Sequence, residues 1–285
     1  MGLGLNGIRF LTGVSKRGLR MGKTLTLGHQ RICMSKEEYS GFLEPLGVSQ
    51  QEQIYADDFF IGLGADPLKV MDASAYEGAE ILHDLNNPVA QDLKSTYDTV
   101  IDIGTLEHVF NYPVAIRTCM ELVKPGGNLI LITPFHNLSG HGLYQFSPEL
   151  FYRVLSPDNG YQIERMMIVA DGYWYVIRNP SEIKSRIEIH SRDVIELFIH
   201  AKRISEQPIF TTWPQQSDYS AAWERGSYAG FENIRPSSLK GRIANRIPFI
   251  RYLQERWNNY QFRRSLIPSR NPGMIKVCKN DKIPS

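Results

Sequence analysis

Cysteine is scarce in this chain: three in 285 residues, Cys33, Cys119 and Cys278. They are too few and too scattered for a disulfide framework or a cysteine-based zinc site, and they fit a reducing compartment. Long apolar runs are missing as well. None approaches the ~18 residues of a membrane span, and the N-terminus lacks the long apolar core of a signal peptide, so the expected location is cytoplasmic. Repeats, low-complexity tracts, a phosphate-binding P-loop, a His-Glu-x-x-His pair and a Gly-x-Ser-x-Gly elbow are all absent. Gly2-Leu-Gly-Leu-Asn-Gly7 has the spacing of a dinucleotide fingerprint, but that motif needs a strand before it and only Met1 precedes it. It reads as a flexible terminus.

Acidic residues are scarce at both ends. Residues 1–36 carry seven Lys/Arg and no acid, and residues 235–285 carry twelve against Glu255 and Asp281. The intervening stretch has a net charge of −15, which brings the whole chain to +2. Leu239 to Ile267 alternates basic and apolar residues and is broken at Pro248, as a basic amphipathic helical pair would be. The first reading is that these bases neutralise the acidic body or form a dimer face. The second is contact with an anionic membrane surface, peripheral to the inner face of a membrane. Nucleic acid ranks last, because the aromatic stacking motifs of RNA binders are not visible.

What is present is ordinary for a globular chain, 42% hydrophobic and 22% charged. Strand patterns occur at Thr24–Leu27, Leu68–Met71, Ala79–His83, Tyr97–Ile103, Asn128–Thr133, Tyr161–Ala170, Tyr173–Ile177 and Val194–Arg203. Helical patterns fall between them. Ser35 with Glu38 starts one running to about Leu46, Gln50 to Leu63 forms a second, Pro113 to Val123 a third, and Ser147-Pro148-Glu149 starts a fourth. Pro125-Gly126-Gly127 reads as a tight turn. Short buried strands alternating with helices predict an α/β, Rossmann-like sandwich with a mainly parallel sheet and helices on both faces.

Tyr97 to Thr133 carries the most information. A strand containing Asp102 ends at Gly104, Leu106-Glu-His-Val109 follows, a helix leads to Leu122-Val-Lys-Pro-Gly-Gly127, and a strand emerges. These 37 residues resemble the second half of a class I S-adenosylmethionine-dependent methyltransferase. The resemblance implies a methyltransferase-like domain over residues 21–205, between a basic segment 1–20 and a basic, partly helical extension 206–285. It implies S-adenosylmethionine as cofactor and methyl transfer to an oxygen or nitrogen of a small molecule or glycan. Asp72, ending the second strand, would accept from the ribose hydroxyls. Asp84, ending the third, would lie near the adenine amino group, and Gly104 would close the fourth.

The first strand departs from the family. An acid and Gly-x-Gly-x-Gly are expected, whereas Thr26 stands for the acid and Gly28-His29-Gln30 for the glycines. Gly28 matches the first glycine, and the His29 and Gln30 side chains are expected to narrow the cofactor site or touch the cofactor. Leu27-Gly-His-Gln30, Tyr76-Glu-Gly-Ala79, His83-Asp-Leu-Asn86, Gly104 to Asn111 and Gly140 to Phe151 resemble a bacterial methyltransferase-like group with this altered loop. The rival reading is therefore a non-catalytic relative that serves as a binding or peripheral membrane module in a surface-glycan pathway.

Ligands bind beyond the carboxyl ends of strands in open α/β sheets. The loop after the fifth strand holds His136, Asn137, His141, Tyr144 and Gln145 there, and it is expected to line the acceptor site. His141 is the first candidate for the general base and His108 the second. Ubiquinone-pathway O-methyltransferases carry a Glu-x-x-Glu-His variant that can hold a metal. Gly104 stands at its first acidic position, so no metal is expected.

Overall fold

The computed structural model describes residues 2–51, 54–183, 186–225 and 273–284, with Arg256, Leu266 and Asn271. Its strands are β1 (Gly22–Leu27), β2 (Ala65–Asp72), β3 (Ile81–Leu82), β4 (Tyr97–Ile103), β5 (Val123–His136), β6 (Tyr161–Ala170), β7 (Tyr173–Ile177), β8 (Ile195–Arg203) and β9 (Met274–Lys279). They form one sheet in the order β3-β2-β1-β4-β5-β8-β6-β7-β9. The pairs from β3 to β5 are parallel. β8 is antiparallel to both β5 and β6. Strand order reverses between β1 and β4, which opens a crevice at their carboxyl ends.

Side chains of β4 and β5 alternate between two cores. Val100, Leu129 and Leu131 pack with Ala115, Ile116 and Met120 of helix α4 (Tyr112–Leu122) and Phe151 of α5 (Pro148–Val154). Ile101, Ile103, Ile130 and Ile132 pack with α1 (Leu5–Lys16), α2 (Lys36–Leu43) and α3 (Asp57–Gly62). The expected two-faced sandwich is therefore present. The short helices α6 (Pro180–Ile183) and α7 (Ser217–Arg225) follow.

Several expectations need correction. The N-terminal glycines do not mark a flexible end. Leu3 pairs with the loop after β1, donating to Arg31 O at 2.7 Å and accepting from Cys33 N at 3.0 Å, and Ile8, Phe10, Leu11 and Val14 of α1 are buried. Gly7 lets α1 approach Ile132, since a Cβ there would lie 3.3 Å from its Cδ1. Among the described residues of the helical pattern Gln50–Leu63, a helix forms over Asp57–Gly62. Residues 54 and 56 instead hydrogen-bond the post-β1 loop, through Ile32 N to Ile54 O and Ala56 N to Gln30 O. Tertiary pairing there overrides local periodicity. The Ser35 capping box forms as expected, but α2 ends at Leu43 and a 3₁₀ turn over Glu44–Leu46 completes the pattern. Pro125-Gly126-Gly127 lies inside β5 as an irregularity in its pairing with β4.

The sheet also reaches beyond residues 21–205. α1 covers one face, and β9, from within the basic extension, pairs with β7. The amphipathic stretch Ile243 to Ile267 lies outside the described residues, apart from Arg256 and Leu266. Among the described residues no helix is long and apolar enough to cross a membrane.

Candidate active site

The loop after β1 turns at Gly28, whose φ of +70° lies in the left-handed region that glycine adopts readily. A Cβ there would stand 3.2 Å from Thr105 Oγ1 and 3.8 Å from Asp72 Oδ2. The ends of β1, β2 and β4 therefore converge on this glycine. Gly28 N donates to Met71 O at 2.8 Å, and Thr105 Oγ1 donates to Leu27 O at 2.9 Å.

Gln30 and His29 behave differently from the expectation. Gln30 is buried, and its amide donates to Leu27 O at 2.8 Å and Gly28 O at 3.1 Å, bracing the loop from within. Its Oε1 is buried without a hydrogen-bond partner. His29 turns to the side. Its ring stacks on Tyr55 at 3.5 Å, Nδ1 lies 2.7 Å from Glu77 O, and Nε2 lies 3.1 Å from the Asp57 carboxylate. Side-chain bonding thus replaces two glycines as the means of shaping this loop.

Asp72 ends β2, half-buried, with Ser74 N donating to its Oδ1 at 3.3 Å while Oδ2 faces Gly28. This placement suits a ligand diol. Asp84 is exposed and organises its own turn, accepting from Asn86 N at 2.9 Å and Asn86 Nδ2 at 2.8 Å. The Asn86 backbone N–H is the main reason its carboxyl sits below the usual range. Asp84 is thus tied into its loop rather than presented bare. Gly104 is buried with φ +88° and lets β4 break sharply.

Asp102 was not singled out as a site residue, although an acid inside the apolar run Val100–Ile103 is a signal. It is fully buried. Its carboxylate accepts from Thr105 N at 2.9 Å and Leu106 N at 3.4 Å, fixing the turn that follows β4. Burial nevertheless pushes its carboxyl up to about 7.

That turn delivers Glu107 into the interior with 0% side-chain exposure. Neither of its oxygens has a hydrogen-bond partner. Burial, and then the Asp102 charge, push its carboxyl up to about 8. His141 Nε2 lies 3.3 Å from Glu107 Oε1, and His108 Nε2 lies 4.0 Å from it. The two imidazole rings meet edge-on, with centroids 5.1 Å apart. Burial lowers both imidazoles from their ordinary value. The post-β5 loop is held here by Glu107 itself, whose carbonyl accepts from Leu143 N at 2.7 Å and Tyr144 N at 3.2 Å.

The structure brings His141 and His108 together around the buried Glu107. The remaining polar loop residues hydrogen-bond within the fold. His136 Nε2 lies 3.2 Å from Ser191 O, Asn137 donates to Ser191 O and Asp193 O, Gln145 accepts from Leu138 N, and Tyr144 OH donates to Phe110 O. The expectation of no metal rested on Gly104. Among the described residues, Glu107, His108 and His141 place one ligand atom each within 4.8 Å of one another.

No protein-family model matches the chain. It is similar to ubiquinone biosynthesis O-methyltransferases: 26% identical over 105 residues to that of Agrobacterium fabrum and 32% over 89 residues to that of Aliivibrio fischeri. These matches cover 37% and 30% of this chain and 37% and 38% of the relatives, so the chain spans less than two fifths of their length. A solved S-adenosylmethionine-dependent methyltransferase from Mesorhizobium loti is 14% identical with a TM-score of 0.40, over 70% of this chain and 100% of that one. With the parallel β3-β2-β1-β4-β5 order, the antiparallel β8 and helices on both faces, the architecture is settled. The fold is the Rossmann-like α/β sandwich that the sequence predicts. Gly28 and Asp72 lie at the carboxyl ends of β1 and β2, and the Glu107 cluster lies beyond the carboxyl ends of β4 and β5.

Proposed function

We propose that the chain is an S-adenosylmethionine-dependent methyltransferase acting on a hydroxyl oxygen of a small molecule. The observation that carries this reading is the contiguity of two half-sites. Thr105 packs against Gly28 on the cofactor side, and two residues later Glu107 meets two imidazoles. S-adenosylmethionine supplies a methyl group activated on a sulfonium. The chain's own residues do the rest. Gly28 keeps the backbone clear beside Thr105, Asp72 accepts from the ribose diol, and Gln30 Oε1 offers a buried acceptor. The Glu107–His108–His141 cluster receives the acceptor hydroxyl, whose proton leaves through it to water as the new oxygen–carbon bond forms and the sulfur–carbon bond breaks. Holding the partners in line is the larger contribution, because effective molarities of well-oriented groups are worth ~7–11 kcal/mol.

The acceptor's chemistry is suggested by the rim. Phe110 and Leu143 flank Glu107 in sequence and by hydrogen bonding, and their side chains are 77% and 61% exposed. Exposed apolar groups beside a polar cluster suit a molecule with a hydroxyl on an apolar or aromatic body. The similarity to ubiquinone biosynthesis O-methyltransferases supports an oxygen acceptor in the same way. Cytoplasmic residence agrees with the three free thiols. The test is calorimetric titration of the intact chain with S-adenosylmethionine and S-adenosylhomocysteine. Saturable binding is expected, and its absence at millimolar ligand would favour the non-catalytic reading.

A further inference from the structure

Arg203 ends β8 with only 4% of its surface exposed. A guanidinium keeps its charge at ordinary pH and carries five N–H donors. Burying it is costly unless a counter-charge stands beside it. Among the described residues no carboxylate forms an ion pair with Arg203. Nη1 is used: it donates to Ser95 Oγ at 2.9 Å and to Val123 O. Nε is buried without a partner, and among the described residues Nη2 has none either. The Nε–Nη2 edge is therefore left unsatisfied. Two parallel N–H groups on that edge make the fork that matches both oxygens of a carboxylate or phosphate.

Arg203 lines a cavity of about 220 Å³ together with Lys94, Ser95, Gln207 and Ile209. Two carboxylates line it without meeting the guanidinium: Glu121 pairs with Lys94 at 2.9 Å, and Glu206 is exposed. Ser95 and Val123 fix Nη1, so the plane of the guanidinium is set before a ligand arrives, which lowers the cost of binding.

We propose that this cavity binds a small oxyanion, a carboxylate or phosphate group held by the Nε–Nη2 edge of Arg203 with Lys94 as the second cation. Pockets for drug-sized ligands run to ~300–1,000 Å³, so the occupant here is compact. Arg203 lies opposite Tyr161 at the end of β8, and β8 runs antiparallel to β5. The cavity thus sits at the amino ends of β4 and β5, away from Gly28 and Glu107, and its occupant is a different ligand from the methyl acceptor. The site stands independently of the methyltransferase reading.

The test follows the Arg203 Nε–H resonance by NMR in the full chain during titration with inorganic phosphate and, separately, with propionate. Sodium chloride at matched ionic strength is the control. A saturable shift is expected with at least one probe, and the probe that saturates at the lower concentration identifies the group. Arg203→Lys keeps the charge and removes the fork. Because Arg203 also braces Ser95 and Val123, Lys94→Gln, at a side chain 28% exposed, gives a second variant outside the core. By calorimetry Arg203→Lys should weaken binding about tenfold or more and Lys94→Gln about threefold. No saturable shift with either probe, the same shift with chloride, or unchanged affinity in Lys94→Gln would overturn the proposal.

Discussion

Glu107→Gln gives the most direct test of the site's electrostatics. The substitution keeps the shape of the side chain and removes its charge. Glu107 has an ordinary value of 4.5 and is pushed up to about 8 by burial and by the Asp102 charge. Between those values the folded chain holds a proton that the unfolded chain has released. Stability therefore falls as pH rises from about 4.5 to about 8 and levels off above. One proton gives a slope of up to ~1.4 kcal/mol per pH unit, and the full interval amounts to ~5 kcal/mol as an upper bound. Water entering the site on ionisation lowers the measured figure, and ~2 kcal/mol across the interval is enough to decide. Asp102, pushed up to about 7, adds a slope of the same sign that the variant retains in part. Denaturant unfolding from pH 5 to pH 9 should show parent and variant equally stable at the acid end, with the variant gaining as pH rises. Parallel curves would show that Glu107 titrates like a solvent-exposed acid and would refute the reasoning.

Asp72→Ala should weaken S-adenosylhomocysteine binding by ~1.5–3 kcal/mol, the loss typical of hydrogen bonds to a charged group; unchanged calorimetric affinity would remove Asp72 from the cofactor site. Gln30→Ala deletes the two bonds that brace the post-β1 loop and should cost ~1–3 kcal/mol in chemical denaturation, whereas an unchanged midpoint would mean the loop holds its shape without them. Gly142→Ala forces a Cβ into Glu107 at a left-handed φ; a loss of ~1–3 kcal/mol is expected, together with a shift of the His141 ring signals in NMR, and neither should be seen if the loop is loose. Ser35→Ala removes the side chain that accepts from Glu38 N and should cost ~1 kcal/mol in a thermal melt.

Much of this architecture is written in local pattern. The strands β4, β6, β7 and β8 are apolar runs that no helix period fits, the Ser35 capping box declares α2, and Tyr97 to Thr133 reads as strand, turn, helix and strand without further help. Gly28, Asp72 and Gly104 could be placed from strand ends alone, because a sheet edge exposes what stops its strands. Tertiary structure decided the rest. Residues 54–56 left their helical pattern because the loop after β1 offered their backbone partners. The N-terminal segment became a buried helix because a sheet face needed covering, a demand that exists only after the strands assemble. His29 and Gln30 became braces because Asp57, Glu77 and the loop's own carbonyls lay within reach. The site itself belongs to this second class. Glu107 and His141 are 34 residues apart in the chain, and nothing in the sequence shows that the acid will be buried beside the imidazole. Only the Asp102-anchored turn, which drives Glu107 inward, and the Gly142 turn pressed against it bring acid and imidazole together, because burial and proximity are properties of the packed chain and not of residue order.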